Sequence, residues 1–315
     1  MHSMKVLHLE ENHPRLIAGL AALGFENDLA YEDSLAEILA KLEQYEGLII
    51  RSKYPIDKAF LKGAKNLKFI GRVGAGLENI DVDAVRAKNI FLINSPEGNR
   101  NAVGEHTLGM LLSLMNRLKS GHHSIGNGIW DREGHRGWEL SGRTVGIIGY
   151  GNTGKSFAKK LTGFEVNTLC YDILNDVGDK NAQQVDWDTL LTQAEVISLH
   201  VPQTDKTIGI INKNFIERMA KPFWLLNTSR GAAVVTKDLI SGLKSQKILG
   251  AGLDVLEYEN RSFSSIFHQE SLPPNLQYLM NADNVLLSPH VAGWTQESHV
   301  KLATTIVEKI RKRFC

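Results

Sequence analysis

Cysteine is nearly absent from this chain, which has only Cys170 and Cys315. Two thiols build neither a disulfide framework nor a zinc cluster, and Cys170 sits in an apolar run that reads as core. An excess of one charge is missing too. Lys and Arg number 36 against 35 Asp and Glu, for a net charge of +1. Nothing electrostatic therefore favours nucleic acid or an anionic membrane as a partner. Long apolar runs are also lacking. The longest, Leu108 to Leu118, is interrupted by Ser113, Asn116 and Arg117 and is too short for a bilayer. Met1-His2-Ser3-Met4 leads straight into a strand pattern, so no signal peptide and a cytoplasmic location are expected. No metal site is expected. At 315 residues and 43% hydrophobic, the chain can bury a large core and hold two domains.

What is present is concentrated mid-chain. Thr144-Val145-Gly146-Ile147-Ile148 is a β-branched apolar run that feeds into Gly149-Tyr150-Gly151-Asn152-Thr153-Gly154. In this G-x-G-x-x-G pattern Gly149 allows a tight turn, and Gly151 lets a pyrophosphate approach the backbone. Gly154 brings the following helix close to the sheet. The helix N-terminus then faces the diphosphate with free N–H groups. A second run, Val166 to Tyr171, ends at Asp172, whose carboxylate is placed to accept hydrogen bonds from a ribose diol. The pattern alone is common; strand, turn, helix, strand and terminal acid in one unit make a dinucleotide site.

The first hundred residues alternate short strands and helices. Lys5–Leu9, Gly47–Ser52, Leu67–Val73 and Ile90–Asn94 read as strands and Pro14–Leu23 as a helix. Later strands are expected at Val196–Val201, Trp224–Asn227, Gly250–Val255 and Val285–Ser288. One long helix is expected from about Ala102 to Gly121, and an amphipathic one from Glu297 to Arg313. The fold class is α/β, with two Rossmann-like, doubly wound parallel-sheet domains and a cleft between them. In such sheets ligands lie beyond the carboxyl ends of the strands. Arg51, Ser52, Lys53, Arg72 and the Gly74-Ala75-Gly76 turn fall at such ends.

Three ionisable residues stand at turns in the second half: Arg230, Glu259 and His290. Each has an ordinary reading when taken singly, as a solvated arginine, a surface carboxylate and a turn histidine. Taken with their neighbours, they resemble a known family. The relevant segments are Gly71-Arg72-Val73-Gly74-Ala75-Gly76-Leu77-Glu78-Asn79-Ile80-Asp81, Gly104-Glu105-His106-Thr107, Gly149–Gly154 and His200-Val201-Pro202. They continue with Asn227-Thr228-Ser229-Arg230-Gly231, Gly252-Leu253-Asp254-Val255 and Ser288-Pro289-His290-Val291-Ala292-Gly293. In this order they resemble the D-2-hydroxyacid dehydrogenases, and within them the phosphoglycerate dehydrogenase branch, over essentially the full length.

The resemblance implies a dinucleotide domain over residues 99–290, inserted into a catalytic, substrate-binding domain made of 1–98 plus 291–315. It also implies NAD as cofactor and a catalytic trio of Arg230, Glu259 and His290. His290 would exchange the proton, Glu259 would orient and favour its imidazolium, and Arg230 would hold the substrate carboxylate. Cofactor contacts implied are Gly149, Gly151, Asn152, Thr153, Gly154 and Asp172, with His200, Val201, Pro202 and Thr207 on the adenine side. Thr228, Ser229, Asp254, Ala292 and Gly293 would surround the nicotinamide. Asp254 also has a reading as a structural cap. Substrate contacts implied are Arg51, Ser52, Lys53, Arg72, Ala75 and Gly76, a cluster suited to an anionic tail and equally readable as a solvated basic rim. A homodimer is expected, with Arg132 of the Trp130 loop as a residue supplied by a partner subunit.

The expected function is NAD-dependent oxidation of D-3-phosphoglycerate. Glyoxylate or hydroxypyruvate reduction and an NADH-sensing, corepressor-like role are the alternatives. The chain departs from the branch at Asn260, at Trp294 and in a long stretch around Arg261–Met280 that includes Phe263, Phe267 and Pro273-Pro274. It stops soon after the last helix, so regulation through a C-terminal domain is not expected.

Overall fold

The computed structural model describes residues 3–259 and 272–315. Two compact units result, Met1–Asn99 with Trp294–Cys315, and Arg100–Gly293. The expectations attached to Asn260, Phe263, Phe267 and the rest of 260–271 lie outside the described residues.

The first unit is built on five parallel strands: β1 (Lys5–His8), β2 (Glu26–Leu29), β3 (Gly47–Ile50), β4 (Phe69–Arg72) and β5 (Phe91–Asn94). Their order is β2-β1-β3-β4-β5, so the chain winds outward in both directions from β1 and β3. Helices α1 (Pro14–Ala22), α2 (Leu35–Lys41) and α3 (Val82–Ala87) alternate with the strands. β2, with the sequence Glu-Asn-Asp-Leu, has little apolar character and owes its strand state to pairing with β1. Apolar side chains of β1, β3 and β4 point alternately to the two faces. Leu7, Leu48, Ile50 and Ile70 join one buried cluster, and Val6, Ile49 and Phe69 join another.

The second cluster contains Leu302, Ile306 and Ile310 of the C-terminal helix, Gln296–Phe314. That packing is why a segment distant in sequence belongs to the first unit. Gly19 of α1 permits the close approach, since a Cβ there would lie 2.8 Å from Val307.

The second unit opens with α4 (Pro96–Met115), which starts within the first unit, followed by α5 (Leu118–Gly126). Seven parallel strands follow: β6 (Thr144–Ile148), β7 (Asn167–Tyr171), β8 (Gln183–Gln184), β9 (Val196–Leu199), β10 (Phe223–Asn227), β11 (Ile248–Leu253) and β12 (Val285–Leu287). The order β12-β11-β10-β9-β6-β7-β8 is doubly wound about β6 and β9. Between them run α6 (Asn152–Leu161), α7 (Trp187–Gln193), α8 (Lys213–Arg218), α9 (Thr236–Lys244) and α10 (Pro274–Asn281), and the C-terminal helix is α11. Both faces of the sheet are buried, by Leu199, Leu225 and Leu253 on one side and Val145, Ile147 and Trp224 on the other. Burial on both faces is why these strands read as continuous apolar runs rather than alternating ones.

The single long helix expected over 102–121 is instead two helices. Pro96 takes a position in the first turn, where its missing N–H costs nothing, so α4 begins before the apolar pattern does. The helix then breaks at Arg117, whose φ is 52°. Arg117 is held there by a hydrogen bond from its Nη1 to Gly134 O (2.8 Å) and by the Trp138 ring 5.1 Å away. No helix among the described residues is long and apolar enough to cross a membrane.

Ile306 is fully buried at the contact of α11 with the first sheet. Ile306→Ala should cost about 2–5 kcal/mol, read as a lower denaturation midpoint for the first unit. A change below about 0.5 kcal/mol would show that α11 is not part of that core.

Candidate active site

Parallel pairing fixes one register row across the large sheet. Tyr171 pairs with Ile148, Ile148 with Leu199, Leu199 with Asn227, Asn227 with Leu253, and Leu253 with Leu287. One residue further on, in sheet order, come Asp172, Gly149, His200, Thr228, Asp254 and Ser288. Residues scattered over more than a hundred positions are therefore aligned along one sheet edge, roughly 24 Å from end to end at strand spacing.

At the β6 end the three glycines differ in kind. Gly149 has φ 89°, and a Cβ there would stand 2.6 Å from His200 O. Gly154 lies against the turn, with a Cβ position 2.2 Å from Gly149 O. Gly151 would meet nothing within 4 Å. Its missing side chain leaves the approach to Asn152 and Thr153 at the start of α6 clear. Asp172 is tied into the same turn, its Oδ2 accepting from Tyr150 N (2.7 Å) and its Oδ1 from Leu174 N (3.0 Å). Tyr150 is buried, and its hydroxyl donates to Asp179 Oδ1 at 2.8 Å. Burial pushes the neighbouring Cys170 thiol up to about 11 and leaves it unreactive.

His200 faces inward. Its Nε2 is hydrogen-bonded to Ser198 Oγ (2.9 Å) and its Nδ1 to Thr153 Oγ1 (3.2 Å), so the imidazole braces the start of α6 from behind. Burial pulls its pKa down to about 3 and keeps the ring neutral. Thr207 serves its own loop, donating to Pro202 O (2.6 Å) and accepting from Thr204 N (2.8 Å).

The other end of the row carries the ionisable trio. Buried Asn227 organises the turn after β10, its Oδ1 accepting from Ser229 N and Oγ and its Nδ2 donating to Arg230 O. Arg230 Nη1 donates to Ser229 O at 2.6 Å. Gly231 lets this turn press on the one after β11, since a Cβ there would lie 1.9 Å from Leu256 O. In that second turn Leu256 N donates to Glu259 Oε1 (2.8 Å). Glu259 Oε2 in turn accepts from His290 Nδ1 at 2.9 Å.

His290 has φ 56°, a left-handed conformation that costs a non-glycine residue roughly 1–2 kcal/mol. Asp254, 1% exposed, holds the loop in place. Its backbone O accepts from His290 N, its Oδ1 from Val291 N and its Oδ2 from Ala292 N, each at 2.8 Å. Ser288 Oγ donates to Asp254 Oδ1 (2.6 Å) and is bonded to His106 Nε2 (3.0 Å). Thr228 Oγ1 is bonded to Thr107 Oγ1 at 2.9 Å.

Glu259 and His290 are thus joined directly, and Arg230 lies in the turn abutting that of Glu259. Asn227, Ser288 and His106 carry this corner; they stand in segments that bear the family resemblance, but no role is assigned to them from sequence. For Ser288 and Asn227 a signal existed, because both stand at or just past the end of an apolar strand. The bond from His106 of α4 to Ser288 is a tertiary contact that the Gly104–Thr107 motif alone does not reveal.

The first unit presents its own strand ends. The Arg51 and Ser52 amides both donate to Glu10 Oε2 (2.6 and 2.8 Å). Lys53 Nζ donates to Tyr31 O. Arg72 folds over Gly74, where any Cβ would collide with its guanidinium. Asn94 Nδ2 donates to Ala75 O at 2.8 Å, anchoring the turn before Gly76.

Comparison with known proteins identifies the family and the fold. Residues 108–292 match the family described as "D-isomer specific 2-hydroxyacid dehydrogenase, NAD binding domain". Over 312 residues (98% of the chain) the sequence is 35% identical to D-3-phosphoglycerate dehydrogenase of Archaeoglobus fulgidus, but it spans only 56% of that protein's length. It is 32% identical to hydroxypyruvate reductase of Thermotoga maritima, covering 96% of this chain and 95% of that one. Among solved structures, D-lactate dehydrogenase of Aquifex aeolicus, complexed with NAD and lactic acid, superposes with a TM-score of 0.82. That match is at 26% identity and covers 98% and 94% of the two chains.

The unfolded chain protonates His200 near pH 6.5, whereas the folded one resists protonation down to about pH 3. That contribution to stability is complete above pH 6.5 and is lost as pH falls toward the folded value, by up to about 1.4 kcal/mol per pH unit. Urea denaturation at pH 7, 6 and 5 should show a shallower pH slope for His200→Gln than for the wild type. Parallel slopes would mean that the ring is not held neutral.

Proposed function

Because the chain belongs to the D-isomer-specific 2-hydroxyacid dehydrogenase family, we propose that it interconverts a D-2-hydroxy acid and its 2-oxo acid with NAD, D-3-phosphoglycerate being the substrate. The observation that carries this reading is the Glu259–His290 pair, set on the same sheet edge as the glycine turn and Asp172.

The residues present fit the dinucleotide. Gly151 leaves the approach to the α6 N-terminus clear, so the Asn152 and Thr153 amides can hold the diphosphate. Asp172 binds the adenine ribose and, as an anion, disfavours a 2′-phosphate. Val201 and Pro202 flank the adenine side, while Thr228, Ser229, Ala292 and Gly293 border the nicotinamide. When bound, NAD supplies the hydride acceptor or donor at its nicotinamide.

The chain's own residues do the rest. With Nδ1 of His290 bonded to Glu259, the imidazole takes the proton from the substrate hydroxyl at Nε2, or returns it to the carbonyl oxygen. Glu259 stabilises the imidazolium formed when Nε2 takes that proton. Arg230 binds the substrate carboxylate with its planar fork of donors. Ala75 and Gly76 offer backbone amides to a substrate carboxylate, and Arg51, Ser52, Lys53 and Arg72 line the rim of the first unit assigned to the anionic tail.

A second substrate reading, reduction of hydroxypyruvate or glyoxylate, is favoured by the near end-to-end match with the hydroxypyruvate reductase. We further propose a homodimer formed through α5 and the loop after it, where Ile125, Ile129 and Trp130 are exposed, with Arg132 contributed across the interface. A cytoplasmic location suits the two free thiols.

NADH oxidation with phosphohydroxypyruvate, hydroxypyruvate, glyoxylate, pyruvate and 2-oxoglutarate tests the reading, with the first expected to give the highest kcat/KM. His290→Gln should lower kcat by about two to four orders of magnitude while NADH binding, followed by fluorescence, is retained. Activity near the wild-type level in that variant would remove His290 from the chemistry.

A further inference from the structure

Trp294 stands where the family resemblance leads one to expect a small residue. In the structure the Arg51 guanidinium lies over its ring, Cζ being 4.4 Å from the centroid. Both residues belong to the first unit. We propose that Trp294 is a positioning residue that presents Arg51 edge-on to an anionic group at the far end of the substrate. The inference rests on the reading of the chain as a dehydrogenase of a phosphorylated 2-hydroxy acid, and it adds the residue that sets this selectivity.

The backbone of Arg51 is fixed on both sides. Its N–H donates to Glu10 Oε2 (2.6 Å), and its carbonyl accepts from Asn79 Nδ2 (3.3 Å). Trp294 is fixed as well. It directly precedes the N-cap Thr295 of α11, whose capping box closes through Thr295 N to Ser298 Oγ (2.8 Å) and Ser298 N to Thr295 Oγ1 (3.1 Å). The indole is backed by His299 at 5.1 Å, and His299 meets the edge of His13 at 5.3 Å. Burial, helped by the nearby His13 and Arg51, lowers the pKa of His299.

A guanidinium stacked on an indole uses its face and leaves its in-plane N–H donors outward, the arrangement that binds a carboxylate or phosphate in bidentate fashion. Among the described residues, no side-chain hydrogen bond or ion pair takes up those donors of Arg51. Lys53, by contrast, is tied to Tyr31 O. Within this rim Arg51 is thus a cation held ready for an outside anion, with Trp294 beneath its guanidinium. At 46% exposure the indole is also accessible at the surface of its own unit.

The test compares phosphohydroxypyruvate with hydroxypyruvate, which lacks the phosphate, in NADH-linked assays of the full chain. Trp294→Leu should raise KM for phosphohydroxypyruvate about two- to fivefold, the worth of one exposed cation–π contact. KM for hydroxypyruvate and for NADH should stay as they were. Trp294→Phe, which keeps an aromatic face, should recover most of the loss. Arg51→Lys keeps the charge without the planar stack and should show the same selective loss, with no further effect when combined with Trp294→Leu.

Equal losses on both substrates, or a selective loss in Arg51→Lys that Trp294→Leu does not share, would overturn the role of Trp294 while leaving the substrate reading intact. If Trp294→Leu does not fold, a Trp294→Phe enzyme with additive rather than overlapping effects alongside Arg51→Lys would overturn it equally. A wild type that does not prefer phosphohydroxypyruvate would defeat the substrate reading itself. A selective loss on 2-oxoglutarate would support the same role with a carboxylate as the anion.

Discussion

Parallel strand pairing is the constraint on which the site depends. When every strand of a sheet runs the same way, all of their carboxyl ends emerge along one edge, and the residue after each strand is placed by hydrogen-bond register rather than by its own chemistry. Here a single row from Tyr171 to Leu287 delivers an acid at one end, the glycine turn on the strand beside it and the trio's turns toward the other end. Shifting any one strand by a residue would also move its apolar side chains from one buried face to the other. Core packing and site geometry are therefore enforced by the same contacts.

Two devices sharpen what the row delivers. Asp254 accepts two backbone amides of the loop after β12, and its carbonyl takes the His290 N–H, which offsets the left-handed backbone of His290. Glu259 bonds a backbone amide with one oxygen and the imidazole with the other, so the direction of His290 follows from the fold of the β11 turn. Both are buried or half-buried carboxylates acting through short hydrogen bonds, the circumstance in which such bonds are strongest. At the glycine turn, neutral His200 plays the equivalent part behind α6.

Much of this was legible in the sequence because the large sheet is buried on both faces. Its strands are unbroken apolar runs whose polar ends mark the row, so Asp172 and Asp254 stood out at strand ends, whereas Thr228 and His290 took their roles from the family resemblance. β2 was not legible, since its polar residues become a strand only by pairing with β1. Nor was the break at Arg117, which is fixed by Gly134 and Trp138 and by no local glycine or proline. The inward turn of His200 and the bond from Ser288 to His106 are tertiary facts as well. Sequence marks where a strand ends; packing decides which way the next side chain faces.

A crystal structure of the chain with NAD tests the central claim most directly. The adenine ribose should lie on the Asp172 carboxylate, the diphosphate on the Asn152 and Thr153 amides, and the nicotinamide at the β10–β12 end beside His290. A dinucleotide bound in the opposite direction along the row, or away from it, would contradict the assignment.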